Sequence, residues 1–324
     1  MKYEQHPPFA IQVELTEGCN LYCDFCGLRG IRGGPGQNFK FMTIKIAENA
    51  ARQIAEAGWR SRIELAMHGE PTMNPSMLDI VSTFRKHLPK NHIMMTSNGG
   101  GLLKDATTRI PNLFKAGLNV LALDNYEGVK IVDKIVDALR RDNVEGFEMY
   151  DYPSCGPVGN PHIRRPLSSR VLIVVQDIRT ASKGTHAKLN NHCGAAAPPN
   201  NEQVGKRCAK PFRELSIRYD GRIAGCCNDW RGVLKVGNIN ETNIEELWLG
   251  DVMYAMRRKL FHGMRDFGAC KGCDHITFRN GLLPDNSGRA KLPKPSAKDL
   301  EVLDKACKGK SYAVPVWRDW ERKK

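Results

Sequence analysis

The stretch FAIQVELTEGCNLYCDFC, residues 9–26, decides how the rest of the chain is read. Phe9 to Leu15 is a short apolar-rich strand that runs into three clustered cysteines, Cys19, Cys23 and Cys26. Thiols this close can reach one metal centre if the loop wraps around it. Thiolate donors suit zinc or an iron–sulfur cluster. A structural zinc takes four protein ligands. Three local cysteines without a fourth neighbour point instead to a [4Fe–4S] cluster with one iron left open.

Outward from this stretch, strand-like and helix-like patterns alternate. Ile44 to Ala57 repeats apolar residues at helical spacing, and Gly58 stands where a helix-ending glycine belongs. Arg62 to Met67 is the next strand. Pro75 to Leu88 reads as a helix with Asn74 as N-cap. His92 to Thr96, Leu118 to Leu123, Gly146 to Tyr152 and Val171 to Val175 are further strands, with helices at Lys104 to Ala116 and Tyr126 to Arg141. This βα alternation describes a parallel sheet covered by helices. Such folds carry chemistry in the loops after the C-terminal strand ends. The cysteine loop, His68-Gly69-Glu70-Pro71 and Ser97-Asn98-Gly99 all sit at such ends.

Composition bounds the remaining options. The chain has 324 residues, enough to bury a sizeable core, and 41% are hydrophobic. No run approaches the roughly 18 apolar residues of a membrane span. Met1 to Pro8 lacks the apolar core of a signal peptide. The 11 cysteines are therefore expected in a reducing, cytoplasmic setting, where clusters read as metal ligands before disulfides. The net charge of +14 suits an anionic partner, and serves equally as a solubilising excess.

With these motifs in order, the chain resembles the radical S-adenosylmethionine (radical SAM) superfamily. In that family the aromatic before the third cysteine, here Phe25, packs near the adenine of SAM. The segment His68-Gly69-Glu70-Pro71 resembles the family's Gly-Gly-Glu-Pro motif, with a histidine replacing the first glycine. The resemblance assigns Gly69 and Glu70, with Pro71, to the methionine amino group, which needs an acceptor beside it. Ser97 and Asn98 resemble the polar segment that lines the SAM pocket. Asp124 at the fourth strand end is a candidate for ribose or substrate, and Arg170 for the SAM carboxylate. The fold implied is α/β: a partial (β/α)6 TIM-type barrel with a small C-terminal α+β iron–sulfur domain.

The second half changes character at the linker-like Gly194 to Gly205. A hairpin turning at Asp220-Gly221, a capping box at Thr242-Asn243-Ile244-Glu245 and a helix over Asp251 to His262 follow. Gly281 to Lys324 is polar and proline-interrupted, a surface-wrapping or partly disordered extension. Cys208, the pair Cys226-Cys227, and Cys270-x-x-Cys273 resemble the SPASM extension of radical SAM enzymes. That resemblance implies one auxiliary [4Fe–4S] cluster on Cys208, Cys226, Cys270 and Cys273. Cys227 is the alternative to Cys226, because adjacent strand residues point oppositely. Four cysteines in two pairs also describe a zinc ribbon. Cys155 and Cys193 read as packing thiols, and Cys307 stands alone. The segment Asn190-Asn191-His192-Cys193-Gly194 resembles one that faces the active site in SPASM relatives. The implied division is a barrel over 1–190, a linker over 191–207, an auxiliary-cluster domain over 208–280 and an extension over 281–324.

The resemblance implies reductive cleavage of SAM to a 5′-deoxyadenosyl radical that abstracts hydrogen from a peptide or small-molecule substrate. The outcome would be oxidation, cross-linking or epimerisation. A flavodoxin- or ferredoxin-type electron donor is the expected partner, with no membrane. A second reading is a zinc-stabilised nucleic-acid binder, against which the basic residues are dispersed rather than gathered in an arm or platform. A radical enzyme acting on RNA would combine both.

Overall fold

A computed structural model describes residues 5–23, 25–30, 38–126, 128–152, 166–176, 191–195, 206–271, 273–275 and 292–307. Cys155, most of the expected linker and most of the C-terminal extension lie outside them. The strands are β1 (Ala10–Val13), β2 (Thr16–Glu17), β3 (Lys40–Phe41), β4 (Arg62–Glu64), β5 (Ile93–Ser97), β6 (Val120–Asn125), β7 (Glu148–Tyr152), β8 (Val171–Gln176), β9 (Glu214–Ile217), β10 (Arg222–Ala224) and β11 (Lys235–Asn238). The helices are α1 (Ile44–Glu56), α2 (Met77–His87), α3 (Ala106–Lys115), α4 (Ile131–Arg141), α5 (Lys210–Arg213), α6 (Ile244–Leu249), α7 (Asp251–Phe261) and α8 (Ala297–Cys307).

Among the described residues, nine strands form one sheet in the order β11-β10-β9-β1-β4-β5-β6-β8-β7. Strands β9 through β7 in that order pair in parallel, and β10 and β11 add an antiparallel edge. The order follows burial. β8 reads VLIVVQ and takes an inner slot beside β6, whereas β7, with exposed Glu148 and Tyr150, is left at the edge. The first strand of the cysteine-rich half, β9, lies directly against β1, with Ala10 opposite Glu214. The two halves thus share a sheet.

Alternation along the strands separates core from site. Ile11, Val13, Ile63, Met95, Leu121 and Leu123 are buried with Ala47, Ile54 and Phe84 of the helices. On the other side, Met94, Val120, Val171 and Ile173 form a second buried cluster, while Gln12, Glu64, Thr96 and Asp124 line a cavity.

Local chemistry explains where the elements begin and end. The Thr43 side chain accepts from Ile46 N and caps α1, and Gly58 follows with φ +68°. Asn74 Oδ1 accepts from Ser76 N at 2.8 Å, as an N-cap does, while its Nδ2 donates to the carbonyls of Leu15 (2.8 Å) and Met42 (3.0 Å); the regular helix itself starts at Met77, two residues later than expected. In the expected capping box the cap is Asn243, whose Oδ1 accepts from Glu245 N at 2.8 Å. Part of the extension is ordered as α8, where Leu303 is buried and Asp299 pairs with Arg258 of α7. No helix among the described residues is long and apolar enough to cross a membrane.

Asn119 shows how tightly the strand starts are tied. Fully buried, it accepts from Ile93 N and Arg85 and donates to Leu167 O. Asn119→Ala strands these groups, and urea denaturation should show a loss of about 2 kcal/mol or more.

Candidate active site

The three motifs meet at the C-terminal end of β1, β4 and β5. Glu70 is buried, and its two oxygens accept four hydrogen bonds. Oε1 takes Thr72 N (3.0 Å), Thr72 Oγ1 (2.5 Å) and Ser97 Oγ (2.5 Å), and Oε2 takes Asn98 N (2.7 Å). Burial pushes this carboxyl upward, and the four donors oppose that shift. Glu70 N in turn donates to Gly18 O at 2.9 Å, pinning the segment to the start of the cysteine loop. Gly69 lies so close that a Cβ there would sit 2.1 Å from Thr16 O. Asn98 Nδ2 reaches the Cys19 sulfur at 3.2 Å.

These residues border a cavity of about 340 Å³, within the usual range of small-molecule sites. Of the sequence-predicted residues, Cys19, Cys23, Cys26, Phe25, Gly69, Glu70, Ser97, Asn98 and Asp124 all line it. Pro71 does not; it opens the short turn Pro71–Met73 below. Arg170 is a correction. It precedes β8, at the opposite end of the sheet, and its guanidinium donates to the carbonyls of Phe114, Leu167 and Ser169. The Glu70 carboxylate, with four donors from two loops, ties those loops together at the cavity's edge.

The cysteine-rich half supplies the far wall. Trp230 lies between His68 (ring centroids 4.6 Å) and His192 (4.7 Å, nearly parallel), and all three line the cavity. A Cβ on Gly27 would fall 2.6 Å from the indole. Gly27 N donates to His192 Nδ1 at 3.2 Å. Burial, with His68 and His275 nearby, lowers the His192 pKa to about 4, so the ring is neutral with its proton on Nε2. His68, the departure from the family pattern, faces Glu14 Oε1 at 3.0 Å and Cys227 O at 2.6 Å. Both partners are acceptors. Glu14 also pairs with buried Arg218 of the hairpin at 2.8 Å.

Adjacent Cys226 and Cys227 separate. Cys227 lines the large cavity, whereas Cys226 lines a second, mainly apolar cavity together with Cys193, Cys208, Cys270 and Cys273. The structure thus places Cys226, rather than Cys227, with the expected auxiliary set. Cys193, expected only to pack, joins them in lining this cavity. Cys307 instead packs on Gly268. Arg265 threads this region together, donating to carbonyls of Lys206, Arg207, Cys273 and His275.

Among the described residues, no three His, Cys, Asp or Glu side chains are arranged to hold a single metal ion. The thiols are instead spread around two cavities. Four thiols line one (Cys19, Cys23, Cys26 and Cys227) and five the other, which fits the donor chemistry of iron–sulfur clusters. Sequence reasoning missed Gln12, Glu64, Glu14, Arg218 and Trp230. Polar residues at inward positions of otherwise apolar strands were the available signal for the first three.

Residues 13–146 match the radical SAM superfamily, and residues 208–274 match SPASM, an iron–sulfur cluster-binding domain. The chain is 22% identical over 270 residues to an S-adenosyl-L-methionine-dependent 2-deoxy-scyllo-inosamine dehydrogenase of Niallia circulans, covering 82% of this chain and 93% of that one. A probable GTP 3',8-cyclase of Thermoplasma volcanium is 28% identical over 147 residues, 44% of this chain and 43% of that one. The crystal structure of BtrN in complex with AdoMet and 2-DOIA superposes with TM-score 0.62 at 18% identity, covering 84% of this chain and 95% of BtrN. BtrN in an open conformation gives 0.56 at 16%, covering 84% and 94%. These structural likenesses establish the fold.

Two outcomes test the site. Gly69→Ala should weaken SAM binding to reconstituted protein at least about tenfold by equilibrium dialysis, since the new Cβ forces the loops apart; unchanged affinity would mean the contact does not shape the cavity. Reconstituted wild type should carry about eight iron per chain, and Cys270→Ala with Cys273→Ala about half of that by iron assay. One zinc in place of the missing iron would identify the second set as a zinc site.

Proposed function

We propose that this chain, which belongs to the radical SAM superfamily and carries a SPASM domain, oxidises a hydroxyl-bearing carbon of a small polar substrate. It is an enzyme that uses a [4Fe–4S] cluster with SAM and auxiliary iron–sulfur chemistry. Cys19, Cys23 and Cys26 would hold the first cluster. Cys208, Cys226, Cys270 and Cys273 would hold one auxiliary cluster. When bound, the first cluster and SAM supply the 5′-deoxyadenosyl radical that takes a hydrogen atom from carbon.

The observation that carries the reading is the shared wall between the cavities. Taking a hydrogen atom from a carbinol carbon leaves one electron and the hydroxyl proton to be removed before the carbonyl forms. Cys226 and Cys227 are neighbours in the chain yet line different cavities. An electron acceptor held by Cys226 would therefore lie one residue from the reaction cavity. Likeness to a dehydrogenase over 82% of the chain supports the same chemistry.

The cavity wall suits a hydroxylated ligand. Glu64, held by Arg62 and by Gln12 Nε2 at 3.2 Å, presents acceptors from the barrel interior. Asp124, which accepts from Tyr126 OH at 3.3 Å, faces the same space from β6 and can receive the hydroxyl proton. Asn228 and the His192 Nε2–H supply donors from the opposite wall. For an electron donor, the net charge of +14 favours an acidic flavodoxin or ferredoxin in the cytoplasm, by faster encounter.

Anaerobic protein given dithionite and SAM should release 5′-deoxyadenosine, and a variant with Cys19, Cys23 and Cys26 changed to Ala should not. With a panel of aminocyclitols and polyols deuterated at carbinol carbons, the turned-over compound should pass deuterium into 5′-deoxyadenosine and yield a ketone. Deuterium transfer from a peptide alone, without ketone, would overturn the dehydrogenase reading.

A further inference from the structure

A [4Fe–4S] cluster takes four cysteines, yet five line the second cavity. The fifth, Cys193, is buried in direct contact with Cys273 and Ala269. Cys193 and Cys273 line the same cavity. Cys193 is brought there at a conformational cost. His192 and Cys193 both adopt left-handed backbone, with φ of 46° and 54°, a region that side chains disfavour.

The surroundings hold that conformation. Asn191 N donates to Asp274 Oδ1 at 2.7 Å, and Asp274 N to Asn191 Oδ1 at 3.4 Å, clasping the turn to the residue after Cys273. Gly194 N closes back on Asn191 O at 2.9 Å, and Gly27 N fixes the His192 ring. The result is a dipeptide with one side chain in each cavity. His192 faces the large cavity against Trp230, and Cys193 faces the auxiliary set.

We propose that Cys193 is a positioning residue of the auxiliary centre: its thiol donates an S–H···S hydrogen bond to the ligating Cys273 sulfur and raises the centre's reduction potential. This rests on the proposed function, in which that centre accepts the electron left on the substrate carbon after hydrogen-atom removal. Hydrogen bonds to cluster sulfurs stabilise the more negative, reduced state. A centre without this donor would be a weaker acceptor. The left-handed turn places the donor without spending a ligand, and its companion His192 ties the same turn to the substrate side.

The test uses the full chain with Cys19, Cys23 and Cys26 changed to Ala, so that the auxiliary centre alone is titrated anaerobically with EPR detection. Adding Cys193→Ala should leave about four iron per chain in place. It should lower the midpoint potential by about 59 mV, a tenfold change in the one-electron equilibrium. Cys193→Ser, which keeps an O–H donor, should fall between. An unchanged potential in Cys193→Ala overturns the proposal. Loss of iron in both variants also overturns it, by making Cys193 a ligand. Absence of any cluster signal in the parent would remove the auxiliary-cluster reading itself, a failure seen independently of 5′-deoxyadenosine formation.

Discussion

The buried carboxylate of Glu70 is the constraint on which the site depends. A carboxylate away from water is costly unless its lone pairs are used. Here four donors from two loops use them, and each of those donors belongs to a segment bordering the cavity. The backbone N–H of the same residue holds Gly18, so the loop carrying Cys19, Cys23 and Cys26 is positioned by the same residue that organises the β4 and β5 loops. The sheet brings three strand ends together; Glu70 makes them one rigid surface.

A second buried network joins this surface to the cysteine-rich half. Arg218, Glu14, His68 and the Cys227 carbonyl form a continuous polar chain from the hairpin, through β1's end, to the Glu70 loop. Removing one member would leave a buried charge or donor unmatched, which is why such chains specify one arrangement. Trp230 packs against two rings of that wall and against Gly27 of the cluster loop. The two cavities therefore meet at one segment, with Cys226 lining one and Cys227 the other.

Much of this was legible in the chain because it depends on local pattern. Cysteine spacing, strand-end glycines and βα alternation each arise from a few neighbouring residues. The errors have the same origin. Asn74 meets Ser76 N as an N-cap does, but its Nδ2 also holds the Leu15 and Met42 carbonyls from distant segments, and the regular helix begins only at Met77. Arg170 has the charge to meet a carboxylate, but the strand direction puts it at the wrong end of the sheet. His68 departs from a glycine pattern because it serves Glu14 and Cys227, neither of which is near it in sequence.

The sequence by itself determined the fold class, the cluster-binding loop and the presence of a second thiol set, since periodicity and ligand spacing are written within single segments. Only the tertiary structure decided that β9 joins the sheet beside β1, that Cys226 and Cys227 serve different cavities, and that Cys193 belongs with Cys273. Those outcomes depend on where long-range pairing and a left-handed turn send side chains, and spacing along a chain carries no record of that direction.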